Sequence, residues 1–236
     1  MRARKIRHFT AYFSENRTGN RKSQSVYFRE EESKEHVSFP SEEILDRVTR
    51  LLDRARFRDA QRSIEDALQR APDSADCHYA LGLVHTQLDQ LAEADRAFAR
   101  AAELRPADYF LPYRVERTEF EHLVEQALRS LPGEFRRHLQ NVEVAVEDVP
   151  GRKLLLDGGI EHDILGLYQG DTIQSGDWGF PDRILLFQRN LENQSPDRET
   201  LLKEIRETVL HEVGHHLGMD ETHLEELELD DDRSGD

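Results

Sequence analysis

His211 and His215 stand four residues apart, with a glutamate directly after the first, in the run His211-Glu-Val-Gly-His215-His-Leu-Gly218-Met-Asp-Glu221. That spacing suits metal binding and water activation. In an α-helix, residues i and i+4 lie one turn apart on the same face. Both imidazoles can then reach one zinc ion, with each ring nitrogen about 2.0–2.1 Å away. Glu212 points beside the metal, where it holds a zinc-activated water and removes its proton as general base. Gly218 ends the helix, as glycine commonly does just past a helix C-terminus. The turn brings Glu221 round as the expected third ligand, with Asp220, His216 and His223 as the alternatives the spacing leaves open. Two histidines, one carboxylate and an open water position describe a hydrolytic centre holding one Zn²⁺ per chain rather than a closed structural site. The competing reading is a surface helix that happens to carry histidines. Against it stand the glycine seven positions after His211, the acid ten positions after it and a well-formed helix pattern beneath.

That pattern begins at Ser195-Pro196, read as an N-cap followed by a first-turn proline, with Asp197 and Glu199 where the helix dipole favours acids. Leu202, Ile205, Val209 and Val213 recur as a core-facing stripe. Each histidine follows a stripe residue by two positions, so the pair faces away from the core into a cleft. Upstream, the periodicity predicts a helix from about Val115 to Leu131 and a short one carrying Phe135 and Leu139. It also predicts a half-buried strand at Val142–Val146 and another at Ile184–Phe187, while Leu154–Leu156 is too short to assign. Residues 157–183 are glycine-rich and hold the sole tryptophan, Trp178, which reads as core more than as a specificity determinant. A sheet edge able to pair with an extended peptide is expected at Arg183–Phe187 or at Ile164–Tyr168. Tyr168 and His162 are candidate oxyanion donors, with structural roles the more common outcome for such residues.

Residues from about Thr118 to Leu227 resemble the small bacterial zincin-like metallopeptidases. The resemblance covers nearly half the chain and rests on several segments besides His211–Glu221. These are Phe120-Glu-x-Leu-Val-Glu-x-Ala-Leu-x-Ser-Leu-Pro132, Val142-Glu-Val-Ala-Val-Glu-Asp148, Leu165-Gly-Leu-Tyr-Gln-Gly170, Pro181-Asp-Arg-Ile-Leu-Leu-Phe187 and Glu207-Thr-Val-Leu-His-Glu212. It implies His211, His215 and Glu221 as ligands, Glu212 as catalytic base and proteolysis as the activity. One departure separates the chain from the larger metzincin group, which places a histidine third and a methionine turn below the zinc. Here Glu221 takes the third position, and Met219 precedes it, so no methionine turn can form downstream.

Ahead of this region the chain repeats with a period of 34 residues. Aligning Ser41–Ser74 with Ala75–Asp108 pairs Ala60 with Ala94, Ile64 with Phe98, Ala67 with Ala101 and Pro72 with Pro106. Leu81-Gly82 sits where tetratricopeptide (TPR) repeats place Leu-Gly, and the alternation of small and large residues is similar to theirs. The first copy departs, with Arg47-Val48 in that position. Two repeats are fewer than the three or so a free-standing solenoid needs, so the helix beginning near Val115 is expected to cap the second while opening the next domain. Pro106–Arg117, with Tyr109, Phe110, Leu111 and Tyr113, reads as a tight connection.

The formal charge of −16 repels phosphates and argues against a nucleic-acid partner. No stretch approaches the apolar length of a membrane span. Cys77 is the only cysteine, so no intrachain disulfide can form, and a reducing, cytoplasmic setting is expected. The first residues are basic (Arg2, Arg4, Lys5, Arg7, Arg17, Arg21, Lys22) without an apolar h-region and read as a disordered arm.

The expected fold class is α+β: a small zincin-like metalloprotease domain, with a mixed sheet and the His211–His215 helix, following an α-helical TPR-like hairpin array. The expected organisation is a basic arm over 1–40, two repeats over 41–108, the zinc domain over 115–229 and an acidic tail over 230–236. The function expected is peptide hydrolysis of a peptide or protein substrate, with the repeats recruiting that substrate or a partner protein. Two rivals remain: a protein-binding scaffold whose zinc domain turns over little or nothing, and a zinc hydrolase acting on a non-peptide amide.

Overall fold

The computed structural model describes residues 41–139, 142–170 and 183–217. The basic arm, the 171–182 segment with Trp178, and the chain from Gly218 on, including Glu221 and the acidic tail, lie outside the described residues.

Helices α1 (Ser41–Asp53) and α2 (Phe57–Arg70) form a first hairpin, and α3 (Ala75–Gln87) and α4 (Leu91–Leu104) a second. Every boundary recurs at the 34-residue offset: 41 with 75, 53 with 87, 57 with 91 and 70 with 104. The turns recur too. Ala55 and Asp89, also 34 apart, are left-handed at φ 51° and 58°. Each closes its first helix the same way: Ala55 N–H donates to Leu52 O and Arg56 N–H to Leu51 O, as Asp89 donates to Thr86 O and Gln90 to His85 O. This paired 5→2 and 6→1 closure satisfies carbonyls that a helix end leaves without partners.

Inside the hairpins the paired positions are buried, but their sizes trade off. A Cβ on Gly82 would lie 2.5 Å from the Phe98 ring, so the second hairpin needs glycine opposite its phenylalanine. The first hairpin carries Val48, 1% exposed, together with the smaller Ile64. Arg47-Val48 is therefore a compensated variant of the Leu-Gly position rather than a defect in it.

The connection after α4 is tied down, as its aromatic composition suggests. Tyr109 stacks on Tyr79 of α3 with ring centroids 5.0 Å apart. Arg114 pairs with Asp95 of α4 at 2.9 Å. The cap on the second repeat differs from expectation. α5 (Arg117–Ser130) packs along the last helix, because its stripe of Phe120, Leu123, Val124 and Ala127 joins Leu201, Ile205 and Val209 in one core. Tyr109 lies over the second hairpin instead.

The remainder is a three-stranded mixed sheet of order β1-β3-β2, from β1 (Glu143–Glu147), β2 (Gly166–Gln169) and β3 (Arg183–Phe187), with helices on its faces. β1 runs parallel and β2 antiparallel to β3. Register places Val144, Ile184 and Tyr168 in one row and Val146, Leu186 and Gly166 in the next. Their apolar members pack against the α5 core and the last helix. On the other face Leu167 packs with Ala55, Leu155 and Ile160, so the α1–α2 turn and α7 (Arg152–Gly158) cover the back of the sheet. Leu154–Leu156, left unassigned by pattern, lies in α7. The helices α6 (Gly133–His138), α8 (Gln188–Asn193) and α9 (Arg198–His216) complete the fold. Among the described residues no helix is long and apolar enough to cross a membrane.

Candidate active site

α9 carries the His211–Glu212 pair. It starts two residues later than its sequence signals suggest, at Arg198 rather than Pro196. Ser195 Oγ donates to Leu191 O and so closes α8, while Asp197 Oδ1 accepts the Thr200 N–H at 2.8 Å and caps α9. That bond, with a further one to Thr200, holds the Asp197 carboxyl below its usual range. The buried face of α9 is also wider than a four-residue stripe: Leu201, Ile205, Val209, Leu210 and Val213 are all at or below 4% exposure, and Leu202 packs only partly.

His211 and Glu212 are themselves buried, at 8% and 7% exposure. Burying a carboxylate is costly unless it is hydrogen-bonded. Here Glu212 Oε2 accepts the backbone N–H of Tyr168, on β2, at 2.6 Å. The bond follows from the pairing pattern. In an antiparallel ladder alternate residues turn their N–H and C=O groups away from the partner strand. Phe187 N–H donates to Leu165 O, which places Leu167 and Gln169 on the inward, bonded positions and leaves Tyr168 facing outward. Gly166 makes the approach possible: a Cβ there would sit 2.6 Å from Thr208 Cγ2 and 3.2 Å from Glu212 Cγ.

Both β2 and β3 pack against α9, and it is β2 whose outward backbone meets Glu212. β3 was one of two expected peptide-binding edges, but it occupies the middle of the sheet with partners on both sides, so no further strand can add to it. The second expectation, Ile164–Tyr168, overlaps β2, an edge strand among the described residues. Tyr168 meets Glu212 through its backbone N–H. His162 is committed elsewhere. Its Nδ1 lies 2.7 Å from Asp53 Oδ1, and its carbonyl accepts from Gln87 and Asn190. It joins the repeats to the sheet domain.

α9 is continuous through position 215, so His211 and His215 lie one turn apart along it, the spacing two imidazoles need for one ion. Gly218 and Glu221 lie outside the described residues, as do Asp220 and His223. Among the described residues no three His, Cys, Asp or Glu side chains gather into a metal-binding group. The described part of the donor set fits zinc: a buried imidazole, a second histidine one turn on, and between them a carboxylate anchored by a backbone donor.

Sequence reading missed α8 and its Glu192. This carboxylate is fully buried and receives Arg114 Nη1 at 3.2 Å, Arg189 Nη1 at 2.8 Å, Gln188 Nε2 at 2.8 Å and Val115 N–H at 3.2 Å. Its signal was only a short polar run between a strand and a proline, with no periodicity to mark it.

No curated protein matches the chain. The model of the zincin-like metallopeptidase family matches residues 139–230, the stretch from just before β1 through α9 and beyond, and so supports a zincin-like metallopeptidase domain in the C-terminal half.

Proposed function

We propose that this chain is a zinc-dependent peptide hydrolase in which His211, His215 and Glu221 would hold the metal and Glu212 is the general base. The observation that carries the reading is Glu212 itself, a buried carboxylate one residue from a buried histidine, oriented by the Tyr168 N–H at 2.6 Å. Proteins seldom bury such a group without a use for it. The chemistry a bound zinc would supply is polarisation of the scissile carbonyl and a lowering of the pKa of bound water toward about 7. Glu212 takes the proton from the attacking water and passes it to the leaving amine. The Tyr168 N–H keeps the carboxylate from rotating, so its reach is set before substrate arrives.

The helical repeats, similar to TPR units in their 34-residue period and in Leu81-Gly82, recruit or orient the substrate protein. His162 and Arg114 link them to the domain that carries α9.

The test is zinc content by elemental analysis on wild type, Glu212→Ala and His215→Ala, with a mixed peptide library incubated in parallel. The expected result is about one zinc per chain in the first two, none in His215→Ala, and cleavage by wild type alone. The expected loss on removing Glu212 is roughly 10²–10⁴-fold in rate. Zinc in wild type with no cleavage of any peptide, together with a tight protein partner, selects the scaffold reading instead. Full cleavage by Glu212→Ala rules out the mechanism.

A further inference from the structure

Asp53 and Gln87 stand 34 residues apart, each the last residue of the first helix in its hairpin. The same position in both repeats therefore meets the sheet domain, and both residues hold one target, His162. Asp53 Oδ1 accepts the His162 backbone N–H at 3.1 Å and its ring Nδ1–H at 2.7 Å, while Gln87 Nε2 donates to His162 O at 3.1 Å. The histidine is 3% exposed. Asn190 of α8 extends the clamp, its Nδ2 donating to His162 O at 2.9 Å and to Ile164 O at 2.8 Å. Leu165 O then accepts the Phe187 N–H. The chain is thus held at 162, 164 and 165, and β2 begins at the next residue.

β2 is four residues long and, among the described residues, pairs with β3 alone. A strand paired along one edge can pivot about that edge, so what lies on its two faces decides where its outward backbone points. On one face Tyr168 packs into the core shared with α9, and Gly166 lies close against Thr208 and Glu212. On the other, Leu167 and the preceding Ile164 pack against the cluster of Ala55, Leu155 and Ile160, which Phe57 also joins. Ala55 and Phe57 belong to the turn that follows Asp53, so one short stretch of the first hairpin both clamps the lead-in to β2 and backs the strand itself. The next peptide unit after Leu167 carries the Tyr168 N–H that Glu212 accepts at 2.6 Å.

We infer that Asp53 and Gln87 are positioning residues for Glu212: through His162 they press β2 toward α9 and so hold the Tyr168 N–H on the Glu212 carboxylate. On the peptidase reading this makes the repeats part of the catalytic assembly, beyond any part they have in recruiting substrate. A displacement of about 1 Å at a catalytic group can cost rate steeply, which gives two residues on distant helices a measurable hold on kcat.

The experiment reads kcat and KM on a peptide that wild type cleaves, zinc content, and hydrogen exchange at the Tyr168 amide of the full chain. An edge-strand amide exchanges by local opening, so its rate reports the bond to Glu212. Asp53→Ala removes both bonds from the first repeat, and Asp53→Asn keeps the accepting oxygen. Gln87→Leu removes the donor from the second repeat together with Oε1, which is buried without a hydrogen-bond partner, so its cost in stability is small. Phe98→Ile loosens the second hairpin away from the clamp. Asp53→Ala is expected to speed Tyr168 exchange and lower kcat, each by about tenfold or more, with KM and zinc content as in wild type. Asp53→Asn should restore most of both, Gln87→Leu should shift both the same way by less, and Phe98→Ile should lower the unfolding midpoint and leave both at their wild-type values. Unchanged Tyr168 exchange in Asp53→Ala and Gln87→Leu overturns the assignment. An equal change in Phe98→Ile does so too, since it would mark a general loss of stability, and a raised KM at constant kcat would place Asp53 in substrate capture instead. Should Asp53→Ala fail to fold, Gln87→Leu decides. Should wild type cleave no peptide, the peptidase reading falls on its own, and Tyr168 exchange still sustains or overturns the link from the repeats to Glu212.

Discussion

Glu212 and Tyr168 are joined side chain to backbone at 2.6 Å, the carboxylate of the helix accepting the outward N–H of the edge strand. The contact exists because position 166 has no side chain. Gly166→Ala puts a methyl 2.6 Å from Thr208 Cγ2 and 3.2 Å from Glu212 Cγ, and the strand must lift from the helix. Overpacking of this kind costs about 1–3 kcal/mol, and sub-ångström displacement of a catalytic base costs rate as well. On the mechanism proposed above, Gly166→Ala should bind zinc as wild type does and lose about tenfold or more in kcat/KM. Adding Thr208→Ser, which deletes the clashing methyl, should restore much of both activity and stability. A Gly166→Ala variant with unchanged kcat would show that the bond does not position the base.

The two hairpins contain a natural repacking experiment. Gly82 faces Phe98 in one, and Val48 with Ile64 holds the equivalent positions in the other. Gly82→Val alone drives a branched side chain into the ring and should cost about 1–3 kcal/mol. Phe98→Ile alone leaves a cavity and should cost a similar amount, about 1–3 kcal/mol. The double variant copies the first hairpin, so its cost should fall below the sum by about 0.5–3 kcal/mol. Denaturant unfolding of the four proteins measures the coupling. Strict additivity would mean that the two sites do not pack as a pair.

The 34-residue period was legible in the sequence because Ala60, Ile64 and Ala67, all buried, recur as the buried Ala94, Phe98 and Ala101. β1 and β3 were legible because their alternating or continuous apolar runs are short and bounded. The place of β3 in the sheet was not, since pairing order depends on which strands meet in space and leaves no local mark. α7 and α8 escaped for a different reason: each makes two turns or fewer, too short for a 3.6-residue period to register. At the site, the His211–Glu212–His215 spacing pointed to α9 directly. The donor to Glu212 was illegible, because it is a backbone N–H whose identity follows from register and not from residue type.

Tyr79 links stability to alkaline pH. Its ring packs between Phe98 and Tyr109, and burial, aided by the negative charge of Asp163, pushes its hydroxyl up from the ordinary value of 10.0 to about 12. In the unfolded chain the phenol ionises near its ordinary value, while the folded chain resists. The contribution of neutral Tyr79 is therefore complete below about pH 10 and is lost as pH rises toward 12. Unfolding midpoints should fall across that window. Tyr79→Phe should flatten the decline and remove one late phenolate from the ultraviolet titration. An equally steep decline in the variant would place the alkaline sensitivity elsewhere.

Glu192 offers the sharpest test of how the repeats are held to the sheet domain. Its side chain is fully buried while Arg114 and Arg189, 20% and 17% exposed, converge on Oε2. Arg114 also pairs with Asp95 on α4, so one carboxylate draws α4, the 105–116 connection and α8 together. Glu192→Gln keeps the shape and leaves two guanidiniums facing a neutral amide. Breaking a buried pair from one side costs about 3–5 kcal/mol, because the remaining charge is buried without compensation. Asp95→Asn removes a partner that is 38% exposed and should cost no more than about 1 kcal/mol. If the seam depends on Glu192, proteolysis of Glu192→Gln should cut first within 105–116, ahead of the hairpins and α9. Cleavage spread evenly over the chain would show instead that the carboxylate stabilises the whole fold and has no special hold on the junction.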